Sequence, residues 1–230
     1  MKSEFVSSVS HELKTPLALI RMFGETLESG LVSDEAKRQE FYHIITKESE
    51  RLTHLIDNVL NFSKMETGSE QYRFEEDDIV QVVRGTLEAY RFHIRDLGFE
   101  MVTQLPDDPI VMMIDKDAIS QALLNLLNNA AKYSDEQKFI RVELTKNVDW
   151  VLISVEDRGV GIPQEELGKI FEKFYRSSTT RTKETTGSGL GLTLVKHIVE
   201  AHAGSVEVSS TVGGGSRFVI RLPLQQAADS

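Results

Sequence analysis

The sequence predicts an α+β protein in two parts, a helical hairpin over residues 1–68 and a mixed strand-and-helix domain over residues 69–230. Three observations predict it. Residues 2–67 carry only the three-, four- and seven-residue spacings of amphipathic helices. The stretch Met65-Glu66-Thr67-Gly68-Ser69 then reads as a helix end and a hinge. After it, short strand patterns alternate with helical ones, which is the signature of an α+β fold.

In the first part, Phe5, Val9, Leu13, Pro16, Ile20 and Leu27 form one apolar series. A second series comprises Phe41, Ile44, Ile45, Leu52, Leu55, Ile56, Val59, Leu60, Phe62 and Met65. Between them Ser29-Gly30 is a stop, and Ser33-Asp34-Glu35 is an N-cap with an acidic first turn. Two helices share only one contact face, so they cannot cover two broad apolar stripes. Dimerisation into a four-helix bundle is the preferred remedy, and packing on the second part is the alternative.

In the second part the patterns predict strands at 72–76, 99–105, 110–114, 139–145, 150–155, 206–210 and 217–222. Helices are predicted at 77–95, 117–133 and 190–202. The formal charge of −10 argues against sequence-independent nucleic-acid binding, which needs a basic surface. The absence of cysteine excludes disulfides, thiol nucleophiles and Cys-based zinc sites. Six histidines form no HExxH or other close pair, so a zinc site is not expected. No apolar run reaches the ~18 residues of a membrane span, and no signal-peptide pattern precedes Lys2, so no membrane contact is expected of this stretch.

The segment Ser10-His11-Glu12-Leu13-Lys14-Thr15-Pro16-Leu17 carries the first candidate chemistry. At ~100° per residue the first apolar series clusters within roughly 80° of arc, and His11 falls about 160° from its centre. A satisfied core histidine therefore fits poorly. Glu12 is placed to orient the ring or take its proton, leaving a nitrogen free as nucleophile. Thr15 shares the face of His11, one turn on. Pro16 removes a backbone donor mid-helix at a cost of ~3 kcal/mol, which packing alone explains badly.

Three further segments suggest a nucleotide site. In Asn125-Leu126-Leu127-Asn128-Asn129-Ala130-Ala131-Lys132-Tyr133, Asn125 and Asn129 stand one turn apart with Lys132 near the same face. Amide oxygens suit Mg²⁺ among phosphates, and a lysine reaches phosphate oxygens. Asp157-Arg158-Gly159-Val160-Gly161-Ile162-Pro163 ends a strand in a carboxylate able to accept from an adenine amine, with glycines that let backbone approach a flat ring. Gly187-Ser188-Gly189-Leu190-Gly191-Leu192 opens a helix with exposed N–H groups suited to phosphate. It is neither a Walker A loop nor a dinucleotide fingerprint. The polar stretch 177–186, carrying Arg181 and Lys183, is predicted to be a lid.

Together these segments resemble the HisKA class of two-component sensor histidine kinases over nearly the whole chain. SHELKTPL resembles the H-box, NLLNNAAKYS the N-box, EDRGVGIP the G1 box, IFEKFYR the F-box and GSGLGL the G2 box, in the family's order. The resemblance implies a hairpin that dimerises and carries histidine phosphotransfer, followed by a Bergerat-type α/β sandwich that binds ATP and Mg²⁺. It implies His11 as phosphoacceptor, Glu12 as its general base and Thr15 as a water-positioning residue for dephosphorylating the partner. Asn129 would hold Mg²⁺, with Asn125 nearby. Lys132, Tyr133, Tyr175 and Arg176 would contact phosphates or line their pocket, and Asp157 would bind the adenine amine. Gly159, Gly161, Ile162, Gly187, Ser188, Gly189, Leu190 and Gly191 would shape the site, with Phe171 and Phe174 packing the base of the lid.

The implied partners are a second copy of the chain and a response-regulator receiver domain. The implied setting is the cytoplasmic part of a bacterial inner-membrane sensor. Two rivals are a Bergerat ATPase or anti-sigma-type serine kinase, and a non-catalytic dimerisation module with a vestigial pocket. The HELKTP helix discriminates against the first.

Overall fold

The computed structural model describes residues 2–30, 32–68, 71–95, 97–134, 137–177 and 189–224, without the side chains at 2–8, 11, 12, 54 and 93. The chain forms two compact units.

The first unit is a pair of helices, α1 (Lys2–Glu28) and α2 (Glu35–Glu66). Pro16 lies inside α1 without ending it, and its side chain is buried. The helix stops at Gly30, which takes φ 67° and donates its N–H to the Leu27 carbonyl. A residue with a Cβ adopts that left-handed backbone only at a cost. Asp34 then caps α2, accepting from the Ala36 amide at 2.9 Å, a contact worth ~1 kcal/mol. Near the connection the two helices meet through Phe23 and Phe41, ring centroids 4.7 Å apart.

Val9 and Phe62 are buried within this unit, yet Leu17, Met22, Tyr42, Ile56 and Leu60 stay exposed. On α2, Tyr42, Ile56 and Leu60 fall within roughly 40° of arc. They form a second apolar strip flanking the half-buried Ile45, Leu52 and Val59. One partner helix covers only part of so broad an arc.

The second unit is a two-layer sandwich. Its main sheet has the order β2-β4-β5-β7-β6, from β2 (Glu100–Gln104), β4 (Phe139–Lys146), β5 (Trp150–Asp157), β6 (Ser205–Thr211) and β7 (Gly215–Pro223). β2 runs parallel to β4 and the other pairs are antiparallel. A separate two-stranded sheet joins β1 (Glu75–Asp78) and β3 (Val111–Ile114) antiparallel. The helices are α3 (Ile79–Arg95), α4 (Lys116–Tyr133) and α5 (Gly191–Ala201).

Alternation decides which face of the sheet meets the helices. Ile140, Val142 and Leu144 of β4, Val151, Ile153 and Val155 of β5, and Phe218, Ile220 and Leu222 of β7 all enter one core. The helices answer with Leu123, Leu126 and Leu127 of α4 and Leu194, Val195 and Ile198 of α5. Each such side chain contributes ~2 kcal/mol on burial. The opposite face carries the polar half of the alternation, with Arg217 paired to Glu143 at 3.1 Å and Arg221 to Glu207 at 2.7 Å. Among the described residues no helix is long and apolar enough to cross a membrane.

The largest shift from the predicted boundaries falls at the first strand of this unit. Residues 72–74 belong to no strand, and the strand occupies Glu75–Asp78 instead of 72–76. The helix expected from position 77 begins at Ile79. Asp78 explains the shift, because its Oδ1 accepts from the Val80 amide at 3.0 Å and the Ile110 amide at 2.9 Å. That carboxylate caps α3 and pins the chain to the residue preceding β3, which keeps Asp77 in the ladder opposite Met112.

The pair α4 and α5 positions the site. A Cβ placed on Gly191 would meet Asn125 Oδ1 at 3.2 Å. At its far end, Nε2 of His202 accepts from the Asp115 amide at 3.0 Å. The two helices therefore run antiparallel and close together.

Candidate functional site

A solvent-open cavity lies at one end of the sandwich. Asn129 and Tyr133 reach it from α4, one turn apart. Asp157, Val160, Gly161 and Ile162 come from the end of β5 and the loop beyond. Ile170, Tyr175, Arg176 and Ser177 supply a second wall, Leu192 enters from the first turn of α5, and Ser216 and Phe218 enter from β7. The lining is mainly apolar, with a few polar groups converging on it.

Asp157 is the electrostatic centre. It is 7% exposed, and Oδ1 accepts from the Gly159 amide at 2.8 Å and the Ser216 amide at 3.3 Å. Oδ2 accepts no hydrogen bond from any described residue. Burial pushes its carboxyl up to about 6, with Glu156 adding to the rise and the two amides opposing it. Such a carboxylate in an apolar pocket is a strong acceptor for a donor arriving with a flat ring.

The glycines of the loop answer first to the protein itself. A Cβ on Gly159 would stand 2.3 Å from the Tyr133 carbonyl oxygen, and one on Gly161 would stand 2.0 Å from that of Thr211. The loop is clamped between the end of α4 and the β6–β7 turn. Val160 donates to Tyr133 at 3.1 Å, Gly213 donates to Val160 at 2.8 Å, and Ile162 donates to Ser210 Oγ at 2.8 Å. Gly161 also takes φ 69°. Gly161→Ala is expected to destabilise the unit by ~3 kcal/mol, from a backbone clash and a strained φ together. Thermal unfolding followed by circular dichroism checks this, and an unchanged melting temperature would refute it.

The other candidates distribute as follows. Asn125 lies one turn before Asn129, donating Nδ2 to the Gln121 carbonyl at 3.1 Å and facing the start of α5 rather than lining the cavity. Lys132 Nζ lies 5.0 Å from the Tyr133 ring centroid. Phe171 packs edge-on against Phe218 at 6.4 Å, and its carbonyl accepts from Thr193 Oγ1. Phe174 takes φ 65°, and Ser177 Oγ donates to the buried Glu166 carboxylate. Gly189, at φ 67°, and Leu190 lead into α5, which Gly191 opens. Gly187, Ser188 and the predicted lid beyond Ser177 lie outside the described residues.

On α1, His11 and Glu12 lie within the helix, but their side chains are outside the described residues. Thr15 is exposed and Pro16 buried. Sequence reasoning missed Val160, Ile170, Ser177, Leu192, Ser216 and Phe218. Val160, Ile170, Ser177 and Leu192 lie inside segments the sequence singled out, whereas Ser216 and Phe218 arrive through strand pairing.

For Mg²⁺, Asn129 brings a hard amide oxygen to the cavity, and no group of three or more His, Asp or Glu exists among the described residues to hold a metal alone. That donor set fits an ion held mostly by a ligand's phosphates.

A sandwich with an end-on, carboxylate-bearing cavity, preceded by a helical hairpin, defines a nucleotide-binding domain joined to a helical module. Residues 114–226 match the family described as histidine kinase-, DNA gyrase B-, and HSP90-like ATPase, and residues 1–68 match the His Kinase A (phospho-acceptor) domain. The chain belongs to the sensor histidine kinases of two-component systems.

It is 36% identical to the sensor protein kinase WalK of Staphylococcus saprophyticus over 230 residues, covering 99% of this chain and 37% of that protein. It is 33% identical to the sensor histidine kinase WalK of Bacillus subtilis over 227 residues, with 98% and 37% covered. The chain thus spans well under half the length of these relatives. Among solved structures, histidine kinase ThkA in complex with response regulator TrrA superposes with TM-score 0.70 at 25% identity, over 96% of this chain and 61% of that one. Full-length ShkA in complex with AMPPNP gives 0.66 at 25%, over 98% and 47%. Histidine kinase AdeS of Acinetobacter baumannii shares the fold, at 0.68 and 24%, over 94% and 98%.

Proposed function

We propose that this chain is the catalytic core of its parent kinase, with residues 1–68 as the dimerisation and phosphotransfer hairpin and residues 69–230 as the ATP-binding unit. The observation that carries the reading is Asp157, a buried carboxylate with an unbonded oxygen in an apolar cavity beside Asn129. This arrangement sits in the same chain as the HELKTPL helix. ShkA's capture with AMPPNP and ThkA's with TrrA support nucleotide and response-regulator binding.

In this reading Asp157 accepts from the adenine amine while Ile162, Leu192 and Phe218 sandwich or edge the ring. Arg176 and Tyr175 approach the phosphates, with Lys132 and Tyr133 at their margin, and Gly187, Ser188, Gly189 and Gly191 shape the turn. Asn129 would hold Mg²⁺, which when bound neutralises developing phosphate charge. The His11 imidazole attacks the γ-phosphorus, forming an N–P bond as the P–O bond to ADP breaks, and Glu12 takes the ring proton. The phosphoryl group then passes to a response-regulator aspartate. Thr15 orients water for the reverse duty, dephosphorylation of that regulator.

Incubation with γ-labelled ATP tests the whole reading. Label on the chain that is lost in acid and kept in base is expected, because phosphoramidates hydrolyse in acid. Acid-stable label on a hydroxyl would sink it, and so would ADP release without labelling. Asn129→Ala is expected to lower Mg²⁺-dependent labelling ~100-fold, in line with loss of a transition-state charge contact. Unchanged turnover removes Asn129 from the metal.

The exposed strip on α2 supports a homodimer. Ile56→Glu with Leu60→Glu is expected to shift the chain from dimer to monomer in sedimentation velocity, because a buried unpaired carboxylate costs several kcal/mol. A pair that still sediments as a dimer places the interface elsewhere.

A further inference from the structure

Away from the cavity, one buried histidine gathers the segment that brings the chain into the sandwich. His202 is 1% exposed and uses both ring nitrogens. Nδ1 lies 2.7 Å from the Ile198 carbonyl, which can only accept, so Nδ1 carries the proton. Nε2 then accepts from the Asp115 amide at 3.0 Å, which fixes the ring as neutral. Asp115 passes the connection on. Its Oδ1 caps α4 through the Ala118 amide at 3.0 Å, and its Oδ2 accepts from the Arg73 amide at 2.8 Å. Phe74 and Tyr72 meet the imidazole edge-on, centroids 4.9 and 5.9 Å away.

The imidazole thus joins the end of α5, the start of α4 and residues 72–74. These are the two helices whose other ends line the cavity through Leu192, Asn129 and Tyr133. We propose that His202 is a proton-sensitive positioning residue that, when neutral, ties residues 72–74 to the ends of α4 and α5, and that proton uptake opens the tie. With both nitrogens protonated, Nε2–H would confront the Asp115 N–H, donor against donor, and the acceptor is lost. The Asp115 carboxylate, whose charge acts on the ring, is already engaged by the Ala118 and Arg73 amides.

The groups facing the ring are few. Asp115 faces it from the β3–α4 junction and Tyr72 from the incoming segment, while His197 on α5 stands 6.2 Å from Tyr72. Lys116 is turned to Asp77, 3.7 Å away, and Arg221 to Glu207 on the sheet. Burial lowers the His202 pKa from 6.5, with the Ile198 carbonyl and Asp115 opposing, so uptake falls on the acid side of that value.

Hydrogen exchange on the full chain at pH 7.5 and pH 5, corrected for intrinsic rate, tests the tie. Exchange at residues 72–75 is expected to rise at least tenfold at pH 5, while β5 stays protected. In His202→Gln, whose Oε1 replaces the Nε2 acceptor and does not titrate, the pH step is expected to vanish. Asp157 still titrates in that variant, so a step that survives the substitution overturns the proposal. A wild-type chain with no step overturns it equally. Should the variant fail to fold, NMR of the wild type decides. The Arg73 and Asp115 amide resonances must then move with the His202 ring titration, and a ring that titrates while both stay fixed refutes the tie. None of these readouts uses nucleotide, so a failure here leaves the kinase reading standing.

Discussion

His11→Ala is expected to abolish autophosphorylation completely while leaving ADP affinity unchanged. The expectation rests on a division of labour. Every described residue lining the cavity comes from the second unit, so removing the α1 imidazole is expected to take away the proposed acceptor and to spare the nucleotide's proposed contacts. Losing the nucleophile of a phosphoryl transfer leaves nothing for electrostatic stabilisation to act on, so the loss should be below detection rather than graded. Labelling with γ-labelled ATP, paired with calorimetric ADP titration, measures both halves. Residual acid-labile label would place the acceptor on another histidine. Loss of ADP binding would mean that α1 has a role in holding nucleotide.

Asp157→Asn should show the opposite pattern: nucleotide affinity falls ~50- to 100-fold while the unliganded unit becomes more stable. A charge-assisted hydrogen bond in a buried site contributes ~2–3 kcal/mol, which sets the affinity loss. The stability gain follows from the sign of the pKa shift. The folded carboxyl is raised from 3.8 to about 6, so the folded chain holds the proton more tightly than the unfolded one. Its stabilising contribution is present below pH 3.8 and is lost as pH rises through 6. At neutral pH the ionised group therefore costs the fold up to ~3 kcal/mol. Asparagine keeps an oxygen for the Gly159 and Ser216 amides and removes the buried charge.

Melting temperatures at pH 7.5, and ADP affinities from pH 5 to 8, check the two arms. Wild-type affinity should weaken below pH 6 and the variant's should not. Wild-type ADP affinity in Asp157→Asn would remove the carboxylate from adenine recognition.

Gly161 and Asp157 show why part of the site was legible in the chain and part was not. Asp157 was legible as a carboxylate at the end of an apolar strand, followed by two glycines and placed to accept from an amine. The glycines stood out as well, but the reason assigned to them was different. Sequence suggested room for a ligand, whereas the nearest atoms are the Tyr133 and Thr211 carbonyls, which only folding brings there. Ser216 and Phe218 had no local signal. They reach the cavity because β7 pairs with β5, placing Phe218 opposite Val155. Tyr72 and Phe74 read as strand residues because aromatic alternation is strand-like, yet their rings instead pack on His202.

By itself the sequence determined what depends on near neighbours along the chain. The helices came from their spacings and, for α2, from the capping carboxylate Asp34, and the solvent-side placement expected of His11 came from its angle to an apolar stripe. These are set within one or two helical turns, where a residue's neighbours are its sequence neighbours. Tertiary structure alone decided the strand order β2-β4-β5-β7-β6, the wall that β7 contributes to the cavity and the protein contacts that demand glycine. It also decided the His202–Asp115 knot across 87 residues. Those contacts join groups far apart in the chain, and only burial of the shared core selects which of them meet.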